Sequence, residues 1–159
     1  MSGARNVKGG LVLLSLGLAA GLAMSLYAFA PLVPVPRALA HYDDLPRRLI
    51  RLSHIAAIML PLINVAVGPW LDRLDLRPAA RGAASWLLLG GAVGLPLALA
   101  LEAFVPALIP LHPSAPPALA FCAGAFIVSA GAWRTDFGRG GAGKETRDAH
   151  PHHARAADA

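Results

Sequence analysis

The side chain best suited to chemistry in this sequence is His54, in Arg51-Leu-Ser-His-Ile-Ala-Ala at the start of a charge-free stretch, Leu52–Leu71. A neutral imidazole can ligate a transition metal or a haem iron, and it exchanges a proton near physiological pH. Five more polar groups can be combined with it: His41, Asp43, Asp44, Glu102 and His112. His54 with His112 or His41 could bracket a haem b. His54 with Glu102 and His112 could hold a metal ion. His54 and Glu102 could carry protons or couple to ion movement, as titratable groups within membranes do. Against these stands a plain structural role: His54 bonds a backbone carbonyl, Glu102 faces water at a helix end, and His41 and His112 are loop residues.

Other chemistry finds little in the sequence. Ser53 adjoins His54, but neighbouring helical residues point about 100° apart and cannot form a nucleophile–base pair directly. There is no G-x-S-x-G, Walker A or H-E-x-x-H. Cys122 is the single cysteine, which excludes an intrachain disulfide, a C-x-x-C-H haem attachment and a thiolate zinc cluster. Within the fourth apolar run it reads as a small packing residue. His150, His152 and His153 could hold a divalent ion weakly, without a scaffold to fix them. Asn64 falls mid-run, where an amide is suited to an interhelical hydrogen bond, and Pro61 frees the Ala57 carbonyl as a candidate partner.

The elements that must position these groups are set by hydropathy. Gly9–Pro36, Leu52–Leu71, Gly82–Leu101 and Ala103–Trp133 contain no Asp, Glu, Lys or Arg. About 20 apolar helical residues cross a hydrocarbon core of ~30 Å. Of the 159 residues, 56% are hydrophobic and 14% charged, with mean hydropathy +0.56. The sequence therefore predicts an all-α integral membrane protein: an antiparallel bundle of four transmembrane helices over residues 1–133, with spans at about 11–30, 49–71, 84–105 and 118–133. Asp43 and Asp44 followed by Pro46 are a helix-start signal, so the second helix can begin near Leu45. The proline-rich connection Val105–Pro117 is too broken for a regular helix. Residues 134–159, rich in Gly, Ala and charge, read as a disordered cytoplasmic tail. Ala28-Phe29-Ala30 resembles a signal cleavage site, but the apolar stretch is long for an h-region and Pro31 follows, so a retained first helix is expected.

Charge and aromatic placement give an orientation. With the N-terminus inside, Arg5, Lys8, Arg73, Arg77, Arg81, Arg134, Arg139, Lys144, Arg147 and Arg155 are cytoplasmic, leaving Arg37, Arg47, Arg48 and Arg51 outside. Trp70, Trp86 and Trp133 fall at the cytoplasmic ends of spans, with Tyr27 and Tyr42 toward the other side. Both termini are thus expected in the cytoplasm, in a bacterial inner membrane. The net charge of +5 is explained by flanking basic residues that meet headgroups. No nucleic-acid partner is expected, since no basic groove with interleaved aromatics is present.

Leucine burial cannot drive helix association in lipid, but small residues that let backbones approach can. Gly17 and Gly21, continued by Ala28, form such a stripe on the first span. Ala57, Pro61, Asn64 and Gly68 form one on the second, Gly90 and Gly94 with Ala98 on the third, and Ala120 and Gly124 on the fourth. Pro61 and Pro96 are expected to kink their helices. Arg51–Val65, about a tenth of the chain, is similar to the His-bearing helices of respiratory membrane proteins. The leading functional expectation is a membrane accessory or interaction subunit, packing against a protein partner or a second copy. A haem b redox protein and a small transporter or proton- or ion-coupled channel are the alternatives.

Overall fold

The computed structural model describes residues 2–28, 32–36, 39, 41 and 43–135. They form four helices: α1 (Ser2–Ala28), α2 (Leu45–Leu71), α3 (Pro78–Phe104) and α4 (Ala115–Arg134), with a 3-10 helix, Pro106–Leu111, between α3 and α4. No strand occurs among the described residues. All four helices are long and apolar enough to cross a membrane, and together they make an antiparallel four-helix membrane bundle. Three of them have 27 residues. At 1.5 Å per residue that is about 40 Å, longer than the ~30 Å hydrocarbon core, so their ends reach headgroup depth.

Several helices start earlier than the apolar runs. α1 begins at Ser2, so Arg5 and Lys8 are helical and do not merely precede the span. Arg5 turns its guanidinium inward to α3, which lets a charged residue sit in the first turns of a packed helix. α2 begins at Leu45 after an extended Asp44, whose side chain makes no cap hydrogen bond, with proline in the first turn. α3 begins at Pro78, two turns before residue 84. α4 carries Pro116 and Pro117 at its start, where the missing N–H groups have no helical partner to lose. The connection before it is partly regular: Pro106–Leu111 winds as a 3-10 helix and ends at His112, in the left-handed region at φ 48°. α2 continues as one element through Pro61 and Pro69, and α3 through Pro96. α4 extends to Arg134. The tail from residue 136, with His150, His152 and His153, lies outside the described residues, as do Tyr42 and the Tyr27 side chain.

Neighbours in sequence are neighbours in space, and α3 also meets α1. The α1–α2 seam is built on glycines. Gly3 lies against the Gly68 carbonyl, and a methyl at Gly10 would stand 2.9 Å from the Pro61 oxygen. Gly17 lies against the carbonyl of Ala57, which Pro61 deprives of its helical donor. Gly3, Gly10 and Gly17 recur every seven residues, the period that keeps one face on a neighbour in left-handed packing. The α3–α4 seam uses Gly91, where a methyl would come within 2.6 Å of the Phe121 Cβ, together with Gly94 and Gly124, and Gly131 lies against Leu76 of the α2–α3 turn. Gly90 is not part of it: no atom lies where its side chain would be. Gly91, one position on, is the residue that turns toward α4. Cys122 is exposed on the outer face, not packed inside.

The three tryptophans mark one end of the bundle and the proline-rich connections the other. Near the tryptophan end, Leu71, Leu74 and Ala84 form a small core. In the middle, Leu88, Ala92 and Phe121 form a second, joined by Leu13 of α1 and Leu60 and Val67 of α2.

Candidate functional site

The densest polar arrangement lies in the tryptophan half, on residues that the sequence reading leaves largely unmarked. Asn6, Asn64 and Ser85 come from α1, α2 and α3, and each is fully buried. Asn6 Nδ2 donates to Asn64 Oδ1 at 2.7 Å. The Ser85 hydroxyl donates to Asn6 Oδ1. Arg5 donates twice to Ser85 Oγ, from Nε at 3.1 Å and from its guanidinium tip at 2.9 Å. Asn64 Nδ2 closes the chain on the Leu60 and Leu88 carbonyls at 3.0 and 3.3 Å. The guanidinium also lies over the Trp86 ring, 4.3 Å from its centre, a cation–π contact at the level where both groups meet headgroups.

Asn64 therefore makes an interhelical bond, but to an amide of α1 and not to the carbonyl freed by Pro61. Asn6 and Ser85 carry the rest. The repeat Gly3, Gly10, Gly17 could have flagged Asn6, because it extends the packed face of α1 upstream of the charge-free run.

Two carboxylates serve helix N-termini. Asp72, at the end of α2, accepts the Gly3 N–H at 3.1 Å. Glu102, buried at 5% exposure, accepts the Ser114 N–H at 3.0 Å where α4 begins. A helix start leaves donors unpaired and carries positive partial charge, so an anion is favoured there. Glu102 is thus occupied within the bundle and does not face water.

His54 is half-buried in the α1–α2 seam. A methyl at Gly21 would stand 2.5 Å from its Cε1 and 2.8 Å from its Nε2, so only glycine lets the ring lie there. Nδ1 is buried without a hydrogen-bond partner, so the carbonyl contact expected of it is not made. Arg47, Arg51 and His54 follow an i, i+4, i+7 spacing and share one face of α2. Arg47 also holds the carbonyl of buried Leu39 at 3.2 Å. His41 and His112 are exposed in the connections. Among the described residues no three His, Cys, Asp or Glu side chains come together as a metal ion would need, so His54, Glu102 and His112 do not form a ligand set.

Small side chains also leave a crevice in the proline half. It is an apolar cavity of about 370 Å³ between α1, α2 and α3, bordered by Gly17, Ala20, Ala57, Ala92, Pro96 and Ala100 among others. Its one hydroxyl, on Ser53, donates to the Pro96 carbonyl at 2.7 Å. Comparison with family models, with curated proteins and with solved structures found no match to this chain. Fold and geometry define a four-span integral membrane protein whose polar groups chiefly join its own helices.

Proposed function

We propose that this protein is an accessory or interaction subunit of a larger membrane complex, docking through the crevice between α1 and α3. The supporting observation is the shape of that crevice. The polar bonds of Arg5, Asn6 and Ser85 hold α1 to α3 in one half only. Beyond Gly9, which meets Leu89, the small residues Gly17, Ala20, Ala92 and Ala100 are among those facing each other, and the helices leave a gap between them. Side chains of a neighbouring helix, from another protein or a second copy, fill such a gap with the close packing that drives association in bilayers. On this reading the protein lies in a bacterial inner membrane with both termini cytoplasmic, supported by the ten-to-four distribution of basic residues.

The test places a photo-crosslinking amino acid at Ala20 in the full chain expressed in its native membrane. The expected result is one adduct of defined mass, lost when Ala100→Leu narrows the crevice. An adduct of twice the subunit mass identifies a second copy. Crosslinks to lipid alone overturn the reading. The same purified material separates the alternatives: a Soret band abolished by His54→Ala would favour haem b, and ion flux in proteoliposomes would favour transport.

A further inference from the structure

A second apolar crevice lies between α2 and α4, in the tryptophan half. Ala66, Val67, Trp70, Leu74, Val128 and Ala132 line it, and its volume is about 650 Å³. Its rim is fixed. The Asp75 N–H donates to Thr135 Oγ1 at 2.9 Å, and that hydroxyl donates to the Gly131 carbonyl at 2.8 Å, which ties the end of α4 to the α2–α3 turn. Arg81, near the start of α3, holds the Leu74 and Leu76 carbonyls of that turn.

At the mouth the chemistry changes from apolar to cationic. Trp70, half exposed, forms one lip, and the Arg73 guanidinium stands 5.7 Å from the centre of its indole ring. Of the acidic groups in this turn, Asp72 accepts the Gly3 N–H, and both Asp72 and Asp75 are exposed. Arg73 and Arg77 are both exposed there. An apolar slot ending in a tryptophan and an arginine matches one kind of molecule in a bilayer: a chain of hydrocarbon carrying an anionic head. Indole sits at the glycerol level, and arginine pairs with phosphate.

We propose that this crevice binds an anionic phospholipid of the leaflet at the tryptophan end, with one acyl chain between α2 and α4 and its phosphate on Arg73. The site requires neither a protein partner nor a particular orientation, so it stands apart from the subunit reading.

Trp70 reports on the site directly. In a Trp86→Phe, Trp133→Phe background it is the sole tryptophan. The full chain is reconstituted in mixed phosphatidylglycerol and phosphatidylcholine, with bromine on the chains of one lipid or the other. Vesicle composition and surface charge are then the same in both arms. Quenching should reveal phosphatidylglycerol enriched about fivefold beside Trp70, the size of one basic residue acting near a membrane surface. Arg73→Gln should return the ratio to that of the bulk, whereas Arg77→Gln should leave it enriched. Ala132→Leu, which narrows the crevice without changing charge, should lower the enrichment at least twofold. Circular dichroism of each variant verifies that the helices are retained. A bulk ratio beside unmutated Trp70 overturns the proposal. So does an equal loss with Arg77→Gln, which would make the effect one of general surface charge, or an Ala132→Leu variant as enriched as its parent.

Discussion

The two halves of the bundle are held by different means. In the tryptophan half a chain of side-chain hydrogen bonds runs from Arg5 through Ser85 and Asn6 to Asn64, joining three helices. In the proline half, Gly17 and Gly21 bring α1 close to α2, the Ser53 hydroxyl of α2 donates to the Pro96 carbonyl of α3, and α1 and α3 border a cavity. The contrast follows from the solvent. Lipid gives leucine no reason to prefer protein, so order comes from close backbone approach and from polar groups that find no other partner. Between α1 and α3, where those polar bonds stop, a crevice opens. The lock is suited to holding α1, α2 and α3 together, and the two crevices, one between α1 and α3 and one between α2 and α4, are suited to receiving something else.

The sharpest way to break this division is to crowd the seam where no polar bond supports it. A valine at Gly17 would drive its side chain into the Ala57 carbonyl, a backbone atom that cannot swing away. Overpacking of this kind costs about 1–3 kcal/mol and occasionally more, and here the upper end is expected because the atom met is backbone. Reversible unfolding in mixed micelles would measure it, with Gly90→Val as the control. No atom lies where that side chain would go, so the control should unfold like the parent.

Next in size is the lock itself. Asn64→Leu removes the acceptor of Asn6 Nδ2 and leaves a buried amide donor unpaired. The loss should be about 1–3 kcal/mol. The double variant Asn6→Leu, Asn64→Leu should lose less than the sum of the two single changes, because no unpaired amide remains. Additive losses would show that the two amides do not act as a pair.

The spans were legible because apolar length is a property of local sequence, and lipid enforces it. The lock was not, for two reasons. Charge served as the boundary marker, so Arg5 and Asn6 fell outside the first span, yet Arg5 is bonded inward and the helix continues past it. Ser85 carries no mark of its own: only the rotation of α3 brings it to face Asn6. The same rotation turns Gly91 and not Gly90 toward α4, and a single-residue error of about 100° cannot be seen from glycine spacing alone. Glu102 was legible as a polar group near a helix end, but its partner, the Ser114 N–H, is created by the fold of the connection.

That connection gives a smaller effect. Glu102→Ala leaves the first turn of α4 without its carboxylate acceptor, which should cost about 1 kcal/mol, in the range of lost N-caps. Amide exchange should rise at Ser114 and not around Asn6 and Ser85 in the tryptophan half. An equal rise in both places would mean that the two halves are not separate.

The last comparison concerns sign. Every polar group of the lock is satisfied, so removing one destabilises. His54 has a buried Nδ1 with no partner, so the fold gains no hydrogen bond from that atom and bears the desolvation of an unpaired polar atom. His54→Leu, close in volume, should therefore leave stability unchanged or raise it by up to about 1 kcal/mol, as replacing an unsatisfied polar group by an apolar one does. Gly21 limits the gain, because its backbone lies against the ring and must accommodate the branched chain. If His54→Leu unfolds as readily as Asn64→Leu, the imidazole is a structural member of the seam and the proline half is held by polar contacts after all. If stability holds while an activity of the complex is lost, the histidine is kept for what it does and not for the fold. The sign of one unfolding measurement thus separates the two halves by purpose as well as by construction.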